Sequence, residues 1–169
     1  SDPSVEIRNE IVWVEDKDST EFYLSIDWSD GSSIYKEKIS GGISDNISVS
    51  IPSVDISKLI ESIKDDYIIL KLDVEGAEYP VLQEVSGETL AKFRIIIIEF
   101  HYVDRIFDRN EFALIKQIFD KLLKQFYIVH IHPNNSGHIS VRNGIDVPTV
   151  LEFTFLRRDR VEHSLPLSF

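Results

Sequence analysis

Residues 70–82, LKLDVEGAEYPVL, decide the fold of this chain of 169 residues. They continue an apolar run, residues 67–72 (YIILKL), of the kind that forms a strand buried in a parallel sheet. The polar segment DVEGAE follows, and the apolar spacing after it predicts a helix that begins near Ala77 and ends near Gly87. A strand that runs through a polar turn into a helix is the repeating unit of α/β sheets.

From Asp55 onward the same alternation of strand and helix continues. Asp55 can cap a short helix, and residues 94–100 (RIIIIEF) predict a second buried strand. An amphipathic helix is predicted over about residues 110–125. Its apolar stripe consists of Phe112, Ile115, Phe119 and Leu122. Residues 126–131 and 149–156 predict two more strands with a polar loop between them, and without a helix between them they should pair antiparallel. This order is that of the second half of a doubly wound α/β sheet.

The residues before Asp55 follow another pattern. Two short strands, EIVWVED and TEFYLS, flank a predicted polar turn at Lys17-Asp18-Ser19. Residues 29–46 are rich in Ser, Gly and Asp, include Gly31, Gly41 and Gly42, and predict a long loop. We therefore expect one partial domain over residues 1–169, with strands and a polar loop in 1–54 and alternating α/β structure in 55–169.

The composition limits the classes of function. Hydrophobic residues make up 43% and charged residues 28% of the chain, which is typical of a globular protein. The 18 basic and 29 acidic residues give a net charge of −11, which argues against nucleic acid as a partner. The longest apolar run, residues 95–98, is too short for a membrane span. The lack of cysteine excludes disulfides and thiolate metal sites, and together with the lack of a visible signal peptide it favours a cytoplasmic protein.

Three carboxylates, Asp73, Glu75 and Glu78, stand where the strand of residues 67–72 ends. Ligands of open α/β sheets bind at the carboxyl ends of strands, and carboxylates packed into a core would repel each other and lose hydration. Gly76 permits a tight turn or the close approach of a ligand. Glu75 and Glu78 would equally suit the start of a helix, with Asp73 as a strand-end cap. A ligand site and a helix start both account for the motif.

Glu99 and His101 end the next predicted strand, beside the strand of Asp73. An acid–imidazole group at this position could act as general base for a hydroxyl acceptor. Together with Asp73 the two side chains could instead hold a divalent metal. A third interpretation is structural, in which both side chains bond to nearby backbone.

His130 and His132 alternate along a strand and should point the same way. With Asn134 and Asn135 they form a polar group where the chain turns. Amide and imidazole groups suit acceptors rich in hydroxyls, although Pro-Asn-Asn is also a strong turn former.

Several motifs, taken in order, resemble the FkbM-type methyltransferases that depend on S-adenosylmethionine. LKLDVEGAEYPVL is followed by IIIEFH, and WVED…EFYLS, DGSSI and VDISKLI precede it. HIHPNN and VPTVLEFTFLRRD follow near the end, so that the resemblance covers nearly all of the chain.

The resemblance implies a Rossmann-like class I methyltransferase fold and methyl transfer from S-adenosylmethionine to a hydroxyl oxygen. It implies an acceptor that is a small molecule or glycan, such as a sugar or secondary metabolite. Asp73 would lie beside both cofactor and acceptor. The implied catalytic residues are Asp73, Glu75, Glu99 and His101, and the candidates for acceptor binding are His132, Asn134 and Asn135. The resemblance assigns no metal.

Two features of the family are not found ahead of the DVEGAE motif: a strand with a glycine-rich loop and a strand that ends in a ribose-binding acid. The chain also contains no methionine. We therefore expect the C-terminal half of a class I sheet from a larger parent protein, with its N-terminal strands missing. The exposed edge of a half-sheet favours pairing, so a homo-oligomer is one expected form. The alternatives are a Rossmann-like binding or scaffold domain that has lost the cofactor, and another Rossmann-like enzyme such as a sugar-modifying transferase.

Overall fold

The computed structural model describes residues 6–24, 32–35, 47–65, 67–135 and 137–161. Most of the loop expected at 29–46, including Gly31, Gly41 and Gly42, lies outside these residues, as does His163. The chain divides into two compact units, residues 1–62 and 63–169. Both mix strands and helices, so the expected α/β class is correct at this level.

The first unit has the elements β1 (Ile11–Trp13), β2 (Lys17–Leu24), β3 (Ile47–Asp55) and α1 (Ile56–Ser62). Its strand order is β1-β3-β2, with β1 parallel and β2 antiparallel to β3. Helix α1 was expected, and the predicted cap is confirmed because Asp55 Oδ1 accepts a hydrogen bond of 2.8 Å from the backbone N–H of Ser57.

The prediction of a turn at Lys17-Asp18-Ser19 was wrong, because these residues already belong to β2. Strand β3 was not among the predicted strands of residues 1–54. Its serines bond across the sheet. Thr20 Oγ1 donates to Ser53 Oγ at 3.0 Å, and the hydroxyls of Ser19 and Ser50 bond to each other.

The described residues of the second unit form six strands and three helices. They are β4 (Ile68–Leu72), α2 (Glu78–Glu84), α3 (Gly87–Leu90), β5 (Phe93–His101), α4 (Arg109–Leu123), β6 (Phe126–Pro133), β7 (Ile139–Arg142), β8 (Ile145–Pro148) and β9 (Val150–Arg157), with 3-10 turns at Val103–Phe107 and Arg158–Arg160. The main sheet has the order β4-β5-β9-β6. Strands β4 and β5 are parallel, and β9 runs antiparallel to both β5 and β6. The predicted antiparallel pairing of the last two strands of the sheet is thus confirmed.

Helices α2 and α4 cover one face of this sheet. The buried side chains of that face include Ile96, Ile98, Phe100, Phe153 and Phe155. Helix α4 was correctly predicted, and it buries Ile115, Ile118 and Leu122. Phe112 was wrongly placed in its apolar stripe, because its side chain is 49% exposed and Ile118 packs inward instead.

Strand β4 was expected to be buried throughout, and this was wrong for its alternate residues. Leu72 is buried, but Ile69 and Lys71 are exposed. β4 is the outermost strand of this sheet among the described residues. Ile69 and Lys71 point away from the face that the helices cover.

Strands β7 and β8 form a hairpin where a polar loop was expected. Asn143 and Gly144 connect them with positive φ angles of 53° and 76°. A two-residue Asn-Gly connection of this kind is the preferred turn between antiparallel strands. Among the described residues, every helix is too short or too polar to cross a membrane.

Candidate functional site

The turn after β4 has an unusual backbone. Glu75 and Gly76 have φ angles of 52° and 96°, in the left-handed region that favours glycine. Helix α2 begins at Glu78, with Ala77 as its N-cap, so the predicted start near Ala77 is confirmed. Glu75 precedes the helix and lies in the turn itself, which places its carboxylate at the end of the strand.

Glu78 is completely buried. Its Oε1 accepts hydrogen bonds from the backbone N–H groups of Val74 (3.2 Å) and Gly76 (3.1 Å), and it lies 2.9 Å from His101 Nδ1. Its Oε2 has no hydrogen-bond partner within the described part of the chain. A buried carboxylate is costly unless it is paired and hydrogen-bonded. Glu78 is therefore an internal anion that holds the turn and the imidazole.

His101 is the last residue of β5 and is 8% exposed. Nδ1 lies 2.9 Å from Glu78 Oε1, and Nε2 lies 3.1 Å from Glu75 Oε2. Burial alone lowers the pKa of His101, but the hydrogen bonds to Glu75 and Glu78 outweigh burial and raise the pKa to about 10. The backbone carbonyl of His101 accepts a 2.8 Å bond from the Tyr79 hydroxyl. Both the position and the orientation of the ring are therefore fixed.

Asp73 follows the last residue of β4 and is exposed. Desolvation, together with repulsion from Glu99 and Glu75, raises the pKa of Asp73 to about 6, although His101 opposes the shift. Ligand atoms of Asp73, Glu75 and His101 all lie within 4.8 Å of one another. The structure thus brings together residues that were proposed from the ends of two separate strands.

Glu99 connects this cluster with a second group of polar residues. Its charge helps to raise the pKa of Asp73, and its Oε1 accepts a 2.6 Å bond from Asn134 Nδ2. Glu99 lies directly opposite Glu152 across β5 and β9. Lys71 Nζ lies 2.6 Å from Glu152 Oε2 and 3.9 Å from Glu99 Oε2, so one ammonium group compensates two carboxylates.

A cavity of about 350 Å³ lies at this group. Its lining residues are Glu99, His132, Asn134, Asn135 and Glu152. The three residues considered for acceptor binding, His132, Asn134 and Asn135, are therefore neighbours around one space. His130 and His132 have stacked rings 6.1 Å apart, which confirms that they point the same way.

The sequence reasoning missed three residues of this region. Glu78 was named among the strand-end carboxylates but was not assigned to the site, and Lys71 was not considered. Glu152 was not assigned a role either, yet it lies on β9, between β5 and β6, and accepts a hydrogen bond from Lys71. Lys71 and Glu152 each stand within an apolar strand, and this pattern indicated that they have partners, because charged residues are almost never fully buried unless they are paired.

Comparison with known proteins gives one match. A family model described as the Methyltransferase FkbM domain matches residues 5–128, which include the turn after β4, all of β5 and the start of β6. None of the curated proteins and none of the solved structures matches the chain. The family match covers more than half of the chain and agrees with the motifs around DVEGAE. The chain belongs to the FkbM methyltransferase family.

Proposed function

We propose that this protein is an S-adenosylmethionine-dependent O-methyltransferase that acts on a hydroxyl group of a sugar or secondary metabolite. The observation that carries the proposal is the convergence of Asp73, Glu75, Glu99 and His101 at the ends of two parallel strands, in a chain of the FkbM methyltransferase family. In open α/β sheets this end of the strands is where ligands bind.

The arrangement of the main sheet supports a Rossmann-like class I fold. Its parallel pair β4–β5 is followed by β9, which lies antiparallel between β5 and β6. The antiparallel ending is the one that the resemblance to these methyltransferases implies. The family match runs through both units of the chain, which supports one methyltransferase-like domain over both.

The strand-end cluster fits the cationic part of the methyl donor. The four carboxylates of Asp73, Glu75, Glu78 and Glu99 outnumber the imidazole of His101 and the ammonium of Lys71, so the cluster attracts positive charge. S-adenosylmethionine, when bound, supplies a methyl group on a positively charged sulfur. We assign Asp73 to the donor side because it is exposed at the edge of the cluster.

The neighbouring cavity fits the acceptor. Its imidazole and amide groups can both donate and accept hydrogen bonds, which suits an acceptor with several hydroxyls. The oxygen that receives the methyl group must lose its proton. Glu99 lines the cavity and interacts with Asp73 closely enough to raise the Asp73 pKa, so this carboxylate pair can take the proton away.

The test is calorimetric titration of S-adenosylmethionine into the full-length natural protein, followed by incubation with a panel of sugars and hydroxylated metabolites. We expect saturable binding at one site. Mass spectrometry of the product should identify methyl groups in ether linkage and no methyl esters. Absence of binding to the folded protein would overturn the proposal and favour a domain that has lost the cofactor. Methyl transfer to nitrogen or carbon alone would overturn the assignment to oxygen.

A further inference from the structure

We propose that Asp73, Glu75 and His101 form a binding site for one divalent metal ion of the Mg²⁺ or Mn²⁺ type. One ligand atom from each residue lies within 4.8 Å of the others, and His101 Nε2 lies 3.1 Å from Glu75 Oε2. An octahedral ion with ligands at about 2.1 Å separates adjacent ligand atoms by about 3.0 Å and opposite ones by about 4.2 Å. The three side chains match these separations after small movements.

The orientation of His101 is the one that metal-binding histidines have. A ligating histidine nearly always donates its other ring N–H to a carboxylate or carbonyl. Here Nδ1 is held by Glu78, whose own Oε1 is fixed by two backbone N–H groups of the turn. Nε2 is therefore directed at Glu75, in the same cluster as Asp73.

A second observation concerns Glu78, the carboxylate that contacts His101 Nδ1. Glu78 is completely buried, and within the described residues its Oε2 has no hydrogen-bond partner. A buried carboxylate oxygen that is not compensated raises the energy of the folded protein. A divalent cation on His101 Nε2 would add positive charge to the ring that Glu78 Oε1 contacts at Nδ1, and would compensate the two ligand carboxylates directly.

The donor set defines the class of ion. The two carboxylates suit Mg²⁺ and Mn²⁺, and the imidazole favours Mn²⁺ of these two because imidazole binds transition metals better. The chain has no cysteine for ions that prefer thiolates. Asp73 is exposed, so solvent reaches the site and water can complete the coordination. On binding, His101 Nε2 gives up its proton to solvent and the metal ion takes its place.

The experiment titrates Mn²⁺ into the full-length protein after treatment with EDTA and dialysis, without S-adenosylmethionine. Calorimetry should show one ion per chain, and pulsed electron paramagnetic resonance should show nitrogen coupling from one imidazole. Asp73→Asn and Glu75→Gln should each weaken binding by about tenfold to a hundredfold. Asp120→Asn, an exposed carboxylate of α4 that is ion-paired with Lys116, is the matched control and should bind like the unaltered protein.

Both variants change exposed or partly exposed side chains, so they should fold, and circular dichroism checks this. The proposal is overturned if the folded protein does not bind Mn²⁺ at millimolar concentration. It is also overturned if Asp73→Asn and Glu75→Gln bind as well as the control. Because S-adenosylmethionine is left out, the experiment tests metal binding independently of methyl transfer.

Discussion

Glu78 and His101 form a buried pair in which Glu78 Oε1 lies 2.9 Å from His101 Nδ1. The same oxygen accepts hydrogen bonds from the backbone N–H groups of Val74 and Gly76, which follow β4. His101 is the last residue of β5. One carboxylate thus joins the ends of the two parallel strands to the turn between β4 and α2. Every candidate site residue in that turn depends on this pair for its position.

We expect Glu78→Ala to lower the free energy of unfolding by about 3–5 kcal/mol, because it removes one partner of a buried ion pair and leaves His101 Nδ1 and two backbone N–H groups without this acceptor. Glu78→Gln should cost less, since its amide oxygen can still accept hydrogen bonds. Urea denaturation measures both effects. Glu84→Ala, at an exposed position of the same helix, should stay within about 0.5 kcal/mol of the unaltered protein. Equal losses for Glu78→Ala and Glu84→Ala would contradict the expectation.

Replacing Asp73 with Asn tests the proposed site directly. We expect the rate of methyl transfer to fall by about 10²–10⁴-fold, the range for loss of a group that moves a proton in the transition state. Stability should be unchanged or slightly higher, because Asn removes the repulsion from Glu99 and Glu75 that raises the pKa of Asp73. Rates are measured with labelled methyl donor, and stability by urea denaturation. An Asp73→Asn protein as fast as an Asp120→Asn control would remove Asp73 from the site.

Much of the second unit could be predicted because local patterns and packing agree there. Residues 95–98 form a continuous apolar run and lie inside β5, and residues 110–125 contain the helical spacing of α4. The first unit was less predictable. In β3, residues 47–51 (ISVSI) alternate apolar and polar side chains as strands do, but Pro52 interrupts the pattern and the partners of the strand lie far away in the sequence.

Which residues form the site could be predicted in part, because the ends of adjacent strands meet at one edge of a sheet. This rule predicts that Asp73, Glu99 and His101 lie close together. The role of Glu78 could not be predicted in this way. It depends on the left-handed turn at Glu75 and Gly76, which allows the Glu78 side chain to fold back under the strand ends instead of facing water at the start of α2.

The acceptor cavity leads to a prediction about Michaelis constants. Asn134→Ala and His132→Ala should each raise the KM for the acceptor by about tenfold, the effect of losing one hydrogen bond of about 1.4 kcal/mol. The KM for S-adenosylmethionine should not change. His138→Ala is the control, because His138 is not among the residues that line this cavity. An equal rise for both substrates, or a rise in the His138→Ala control, would exclude a specific role for this cavity in acceptor binding.

Lys71 is predicted to stabilise the main sheet through the two carboxylates on β5 and β9. Glu99 and Glu152 face each other directly, and like charges at opposed positions destabilise a strand pair. Burial lowers the pKa of Lys71, but the hydrogen bond with Glu152 and the charges of nearby carboxylates outweigh burial and raise it. Lys71→Met should therefore lower the free energy of unfolding by about 1 kcal/mol, the upper range for a partly exposed ion pair.

A double-mutant cycle separates this charge effect from lost packing. Glu152→Gln in the Lys71→Met background removes the repulsion between the strands and should restore most of the lost stability. The same change in the unaltered protein should destabilise it, because Lys71 then loses its closest partner at 2.6 Å. Urea denaturation at low and high salt provides the measurement, and the coupling should shrink as salt screens the charges. Additive effects of the two substitutions would mean that Lys71 contributes through its aliphatic chain and not through its charge.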